Sequence, residues 1–104
     1  MSSECVFCKI IKKEVPTEMV HEEEHVVVFR DIRPKAREHF LIVPTVHIKS
    51  FLDLSDKHLL LLTKLIKVVQ RLIRDYKLAG GYRLVFNGGK HQEVPHLHWH
   101  LLGD

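Results

Sequence analysis

Apolar positions follow three different rhythms along this chain. Over residues 5–13, Val6, Phe7, Ile10 and Ile11 fall on one face of a short helix, and Pro16 is its expected stop. Residues 18–21 read as a short extended piece. Residues 25–30, His-Val-Val-Val-Phe-Arg, are β-branched and aromatic and predict a strand. Asp31-Ile32-Arg33-Pro34-Lys35 is a turn, and Phe40-Leu41-Ile42-Val43, closed by Pro44, is a second buried strand.

The rhythm then changes to a helical one. Ser55 is the expected N-cap, with Asp56 in the first turn. One long helix is predicted from there to Leu78, closed by Gly80-Gly81. Its apolar residues are Leu59, Leu60, Leu61, Leu62, Leu65, Ile66, Val68, Val69, Leu72 and Ile73. That set is wider than one core-facing stripe, so the helix needs a second partner, and a homodimer is expected. Residues 82–87 predict another strand and residues 88–94 a loop. Pro95 leads into His96-Leu97-His98-Trp99-His100-Leu101-Leu102.

The order is helix, strands, one long helix, strands. It predicts an α+β fold with an antiparallel sheet of about five strands, one long helix and one short helix. Residues 1–104 read as a single domain. With 45% hydrophobic and 28% charged residues the chain is an ordinary globular one. No stretch approaches the roughly 20 apolar residues of a membrane span, and Met1-Ser2-Ser3-Glu4 lacks a signal-peptide pattern. A cytoplasmic protein with no membrane partner is expected. A net charge of +3 from scattered basic residues gives no nucleic-acid footprint.

Nine histidines change the picture, because three of them alternate with apolar residues near the C-terminus. On a strand, His96, His98 and His100 share one face about 7 Å apart, while Leu97, Trp99 and Leu101 share the other. Neutral imidazole attacks phosphorus and imidazolium donates a proton near neutral pH, so one strand can supply both roles. A metal held by all three fits less well, since a row does not converge its nitrogens on one ion. A second constellation is Cys5-Val6-Phe7-Cys8, whose two thiolates suit half of a tetrahedral zinc site.

The His-x-His-x-His-hydrophobic-hydrophobic run resembles the histidine triad superfamily. Cys8-Lys9-Ile10-Ile11, Phe29-Arg30-Asp31-Ile32, and the segment from His39 to Pro44 resemble its opening helix, ribose-binding segment and central strand. Asn87 and Gln92-Glu93-Val94 are similar to its phosphoramidase-like Hint branch.

The resemblance implies a nucleotide hydrolase or transferase that cleaves purine nucleoside phosphoramidates or anhydrides through a nucleotidyl-histidine intermediate. His98 would be the nucleophile, His100 the phosphate or leaving-group contact, and Asn87 a phosphate-site amide. Asp31 would hold the ribose. Phe7, Ile10, Phe29 and Ile32 would wall the base, with Gln92, Glu93 and Val94 at the nucleotide. Glu93 would disfavour anionic leaving groups.

The resemblance also completes a structural zinc site, with His47 and His96 joining Cys5 and Cys8. No organic cofactor is expected. His91 lies within reach of substrate, while His21, His25 and His58 read as surface residues and His39 carries no assigned role. The chain stops two residues after the motif, which leads to an expectation of broad specificity. Two alternatives remain: a dinucleoside polyphosphate hydrolase of the Fhit type, and a nucleotide- or zinc-binding interaction protein with little catalysis.

Overall fold

Val26, Val27, Val28 and Phe29 are all buried, so both faces of their strand are covered. In the computed structural model, which describes residues 5–104, that strand (β2, Val26–Arg30) is part of a five-stranded antiparallel sheet. The others are β1 (Met19–Glu22), β3 (Glu38–Pro44), β4 (Tyr82–Val85) and β5 (Trp99–Gly103), in the order β1-β2-β3-β5-β4. Residues 1–4, on which the signal-peptide expectation rests, lie outside the described residues. No helix among those described is long and apolar enough to cross a membrane.

Alternation divides the strands between two layers. Val26, Val28, Phe40, Ile42, Trp99 and Leu101 point to one face and meet the long helix α2 (Leu59–Asp75). Val27, Phe29, Leu41 and Val43 point to the other face and meet the short helix α1 (Val6–Ile11). From α2 the buried residues are Leu65, Val68, Val69 and Leu72, a stripe at i, i+3, i+4 and i+7. Each such burial stabilises by about 1.5–3 kcal/mol. Leu59, Leu60 and Ile66 stay exposed on the same helix.

Both helices end differently from the sequence expectation. Ser55 is the N-cap with Asp56 in the first turn, as expected, but of a 3₁₀ turn, Asp56–His58, that runs into α2; the Ser55 N–H donates to His58 Nδ1 at 3.0 Å. At the far end, Lys77 takes the left-handed conformation at φ 57°. The Leu78 N–H then reaches Ile73 O at 2.8 Å and the Lys77 N–H reaches Arg74 O at 3.2 Å. Gly80-Gly81 therefore follows the stop rather than making it. Leu78 is pinned over Gly103, where an added Cβ would sit 2.6 Å from its Cδ2. α1 closes the same way before Pro16 is reached: Lys13 has φ 67° and the Glu14 N–H donates to Lys9 O at 2.8 Å.

The histidine run also departs from expectation. β5 begins at Trp99, so of the three histidines only His100 lies in the strand. The His96 N–H bonds to Val94 O at 2.8 Å and the Leu97 N–H to Ile48 O at 2.6 Å. These bonds tie residues 96–97 to the loops beside β3 rather than to the strand itself. The apolar members hold their side: Leu97, Trp99 and Leu101 are all buried.

Candidate active site and metal centre

The strand register sets the site. β3 and β5 pair Leu41 with His100 and His39 with Leu102, so His39 and His100 are diagonal neighbours on the α1 face. His39 Nε2 lies 2.9 Å from His100 Nδ1 and 3.5 Å from Asp31 Oδ2. Asp31 is itself held by an Asx turn, accepting the Arg33 N–H at 2.8 Å. The His98 and His100 rings lie 5.0 Å apart, and Phe7 presents its edge to His98 at 4.9 Å.

Hydrogen bonds fix where the protons sit. The Lys35 N–H donates to His39 Nδ1 at 3.1 Å, so neutral His39 carries its proton on Nε2 and donates it to His100 Nδ1. His100 therefore keeps its own proton on Nε2. His98 Nδ1–H donates to the His96 carbonyl at 2.7 Å, leaving the Nε2 lone pair free. Burial lowers the pKa of His39 and of His98. Burial, with His98 and His39 nearby, lowers that of His100 to about 4. All three are neutral near pH 7, with the proton pattern that those bonds dictate.

Two cavities meet at these histidines. One, of about 400 Å³, is mainly apolar: Phe7, Ile10, Phe29, Leu41 and Val94 line it, and Asp31 stands at its edge. Ile32 borders it too, although 87% exposed. The other, of about 360 Å³, is polar, with Asn87, His91, Arg33 and Lys35 around His98 and His100. Glu93 borders both. Gln92 lines neither. Its amide donates to Lys49 O at 2.7 Å and Val94 O at 3.0 Å, which braces the loop.

His96 turns its back on this pair. Its Nε2–H donates to Pro44 O at 2.9 Å, which leaves Nδ1 unprotonated. That nitrogen is 3.4 Å from Cys5 Sγ, 3.5 Å from Cys8 Sγ and 3.2 Å from His47 Nδ1, and Cys8 Sγ is 3.3 Å from His47 Nδ1. One donor atom from each of the four lies within 4.8 Å of all the others. A tetrahedral zinc with Zn–S of about 2.3 Å and Zn–N of about 2.0 Å holds its ligand atoms about 3.3–3.8 Å apart. The donor set fits that ion. Burial, then the neighbouring Cys5, pushes the Cys8 thiol up to about 11, so its thiolate needs a cation beside it.

Comparison with known proteins agrees with this geometry. A family model described as scavenger mRNA decapping enzyme C-term binding matches residues 4–104. A purine nucleoside phosphoramidase of Escherichia coli is 41% identical over 99% of this chain and 89% of its own length. A HIT family hydrolase from Legionella pneumophila superposes with a TM-score of 0.93 at 43% identity, covering 96% of this chain and 92% of that one. The chain belongs to the histidine triad (HIT) family. A 14 kDa zinc-binding protein of Zea mays is 41% identical over 97% of this HIT chain and 82% of its own length.

The site of this HIT protein includes residues that the sequence did not single out. His39 is 3% exposed and links Asp31 to His100. A histidine at the head of an otherwise apolar strand was its only local signal. Arg33 and Lys35 were read as turn residues, yet both line the polar cavity. Of the other histidines, His91 lines that cavity, His21 pairs with Glu23 at 2.7 Å, His25 is exposed, and half-buried His58 accepts from Ser55.

Proposed function

We propose that residues 1–104 form one domain that hydrolyses purine nucleoside 5′-phosphoramidates, with related anhydrides as further substrates. The observation that carries this reading is the pair of opposite ring states at the mouth of both cavities. His98 offers a free Nε2 lone pair, and His100 offers an Nε2–H.

The base occupies the apolar cavity and the ribose hydroxyls donate to Asp31. His98 Nε2 attacks phosphorus while the P–N bond breaks; the leaving nitrogen takes its proton from water, and the His100 Nε2–H hydrogen-bonds the phosphoryl group without giving its proton up. Water then attacks the phosphorus of the nucleotidyl-His98 adduct, the P–N bond to His98 breaks, and the proton lost by the water passes to solvent as the nucleoside monophosphate is released. The Asn87 amide, in the polar cavity, donates to the phosphoryl oxygens as charge builds there. Asp31, through His39, keeps the His100 proton on the correct nitrogen.

Adenosine 5′-phosphoramidate is the test substrate. The wild type should release AMP, and His98→Ala should lose about 10⁴-fold or more in kcat. A His98→Ala protein with the full rate overturns the mechanism.

Cys5, Cys8, His47 and His96 would hold a structural zinc, tying α1 to the backbone carbonyl that orients His98. The exposed Leu59, Leu60 and Ile66 of α2 lie on a chain that also exposes Tyr82, Leu84 and Phe86 at or beside the edge strand β4. A large apolar surface beside an unpaired strand edge fits a homodimer. Sedimentation should give twice the chain mass, and Leu60→Asp should halve it. A wild-type monomer at micromolar concentration removes the dimer from the proposal.

A further inference from the structure

Glu93 stands where the two cavities meet at the reacting histidines, since it borders both of them. It is exposed and, among the described residues, enters no ion pair. Its backbone is nonetheless held on both sides. The Gln92 amide donates to Lys49 O at 2.7 Å and to Val94 O at 3.0 Å, and the His96 N–H donates to the same Val94 carbonyl at 2.8 Å. A bonded loop therefore carries an unpaired carboxylate at the site. Burial lowers the His98 pKa, and the charges of Asp31 and Glu93 work against that, so Glu93 lies within electrostatic reach of the nucleophile.

The second half of the reaction has no base among the buried histidines. His98 has spent its lone pair on phosphorus at that stage. His100 keeps a proton on Nε2, and its Nδ1 accepts from His39. His39 in turn accepts the Lys35 N–H at Nδ1. Asp31 accepts the Arg33 N–H and is taken by the ribose. His91 and Glu93 remain in the polar cavity, and of these two only Glu93 also borders the cavity on the nucleoside side. Phosphorus lies between the two cavities. In-line attack brings water to the side of phosphorus away from His98, the side that the amine has left.

We propose that Glu93 is the general base of the second step, a catalytic residue for breaking the adduct and not for forming it. A Glu93 carboxylate oxygen takes one proton from the water as the water oxygen bonds to phosphorus. The P–Nε2 bond breaks and its electron pair returns to His98, which leaves as neutral imidazole. The nucleoside monophosphate departs, and protonated Glu93 gives its proton to solvent. This rests on the phosphoramidase reading and assigns the step that the histidines leave unassisted.

The test follows ammonia and AMP separately by rapid quench, with adenosine 5′-phosphoramidate as substrate. Glu93→Gln should release a burst of about one ammonia per chain at the wild-type rate. The adduct should then break down about 10²-fold more slowly than in the wild type, and intact mass should show AMP bound to the chain. Glu93→Ala should do the same, and added formate, a small carboxylate, should restore part of its AMP release. Ammonia and AMP released together by Glu93→Gln at the wild-type kcat overturn the proposal. A change confined to KM does so too, because it makes Glu93 a binding contact only. Adduct accumulating in His91→Asn and not in Glu93→Gln assigns the base to His91. Each of these three results leaves the phosphoramidase reading standing. A folded wild type that releases neither product removes both.

Discussion

The two faces of the sheet are built from the same strands and do opposite work. Toward α2, Val26, Val28, Phe40, Ile42 and Leu101 are each 0% exposed, and the contact is apolar apart from the buried Trp99 Nε1–H, which has no hydrogen-bond partner among the described residues. Toward α1, the alternate residues Val27, Phe29, Leu41 and Val43 share their layer with two cysteines and with the buried His39, His96 and His98. The first face needs only shape and water exclusion. On the second, every buried imidazole carries a desolvation cost, and each has a hydrogen-bonding partner to offset it. That cost is also useful, because it keeps the histidines neutral while their partners choose the tautomer.

The contrast breaks most visibly at the metal centre. If zinc holds the α1 face together, removing it takes away folding energy that no apolar contact replaces. A strong chelator should lower Tm by about 10 °C or more for a chain of this size. Elemental analysis of untreated protein should find about one zinc per chain. Cys8→Ala should begin at the lower Tm and not respond to chelator. Metal-free protein whose Tm ignores chelator would leave both faces resting on packing alone.

Acid should find the same face next. His39 and His100 have folded-state pKa values below the ordinary 6.5, with burial the main cause in each. Below pH 6.5 the unfolded chain binds more protons than the folded one, so stability falls as pH drops from 6.5 toward 4. His39→Gln should flatten that fall. It should also lower kcat by about tenfold to a hundredfold, with KM nearly unchanged, because the proton of His100 is no longer directed. Unchanged kcat in His39→Gln would make the Asp31–His39–His100 chain a packing feature only.

The difference between the faces also explains what the sequence could disclose. Periodicity reports burial, so the strands around Val26–Arg30 and Phe40–Val43 and the stripe on α2 were readable. The Cys5/Cys8 spacing with its histidines was readable through chemistry and resemblance together. His39 was not, because its partner is set by the β3–β5 register, 61 residues away along the chain. The start of β5 was hidden for a similar reason: a loop carbonyl from Ile48 captures the Leu97 N–H. Gln92 was placed at the nucleotide on resemblance alone, and its amide donates to the carbonyls of Lys49 and Val94 instead. Arg33 and Lys35 looked like turn residues, which their backbones are.

The smallest expected effect lies at the helix ends, where the same device serves both faces. Lys13 ends α1 and Lys77 ends α2, each left-handed, at φ 67° and 57°. A side chain in that conformation costs about 1 kcal/mol, which glycine avoids, less the extra freedom glycine gains on unfolding. Lys77 makes no ion pair among the described residues, and Leu78 beside it is pinned over Gly103, so the backbone there is held by packing. Lys77→Gly should therefore raise Tm by a few degrees, about 0.5 kcal/mol in stability. Lys13 also bonds Glu22 at 3.0 Å, an exposed pair worth a few tenths of a kcal/mol. Lys13→Gly should thus gain less than Lys77→Gly. A lower Tm for Lys77→Gly would mean that the lysine stem, rather than the left-handed turn, secures the end of α2. An equal gain at both sites would mean that the Lys13–Glu22 pair contributes nothing to the α1 face.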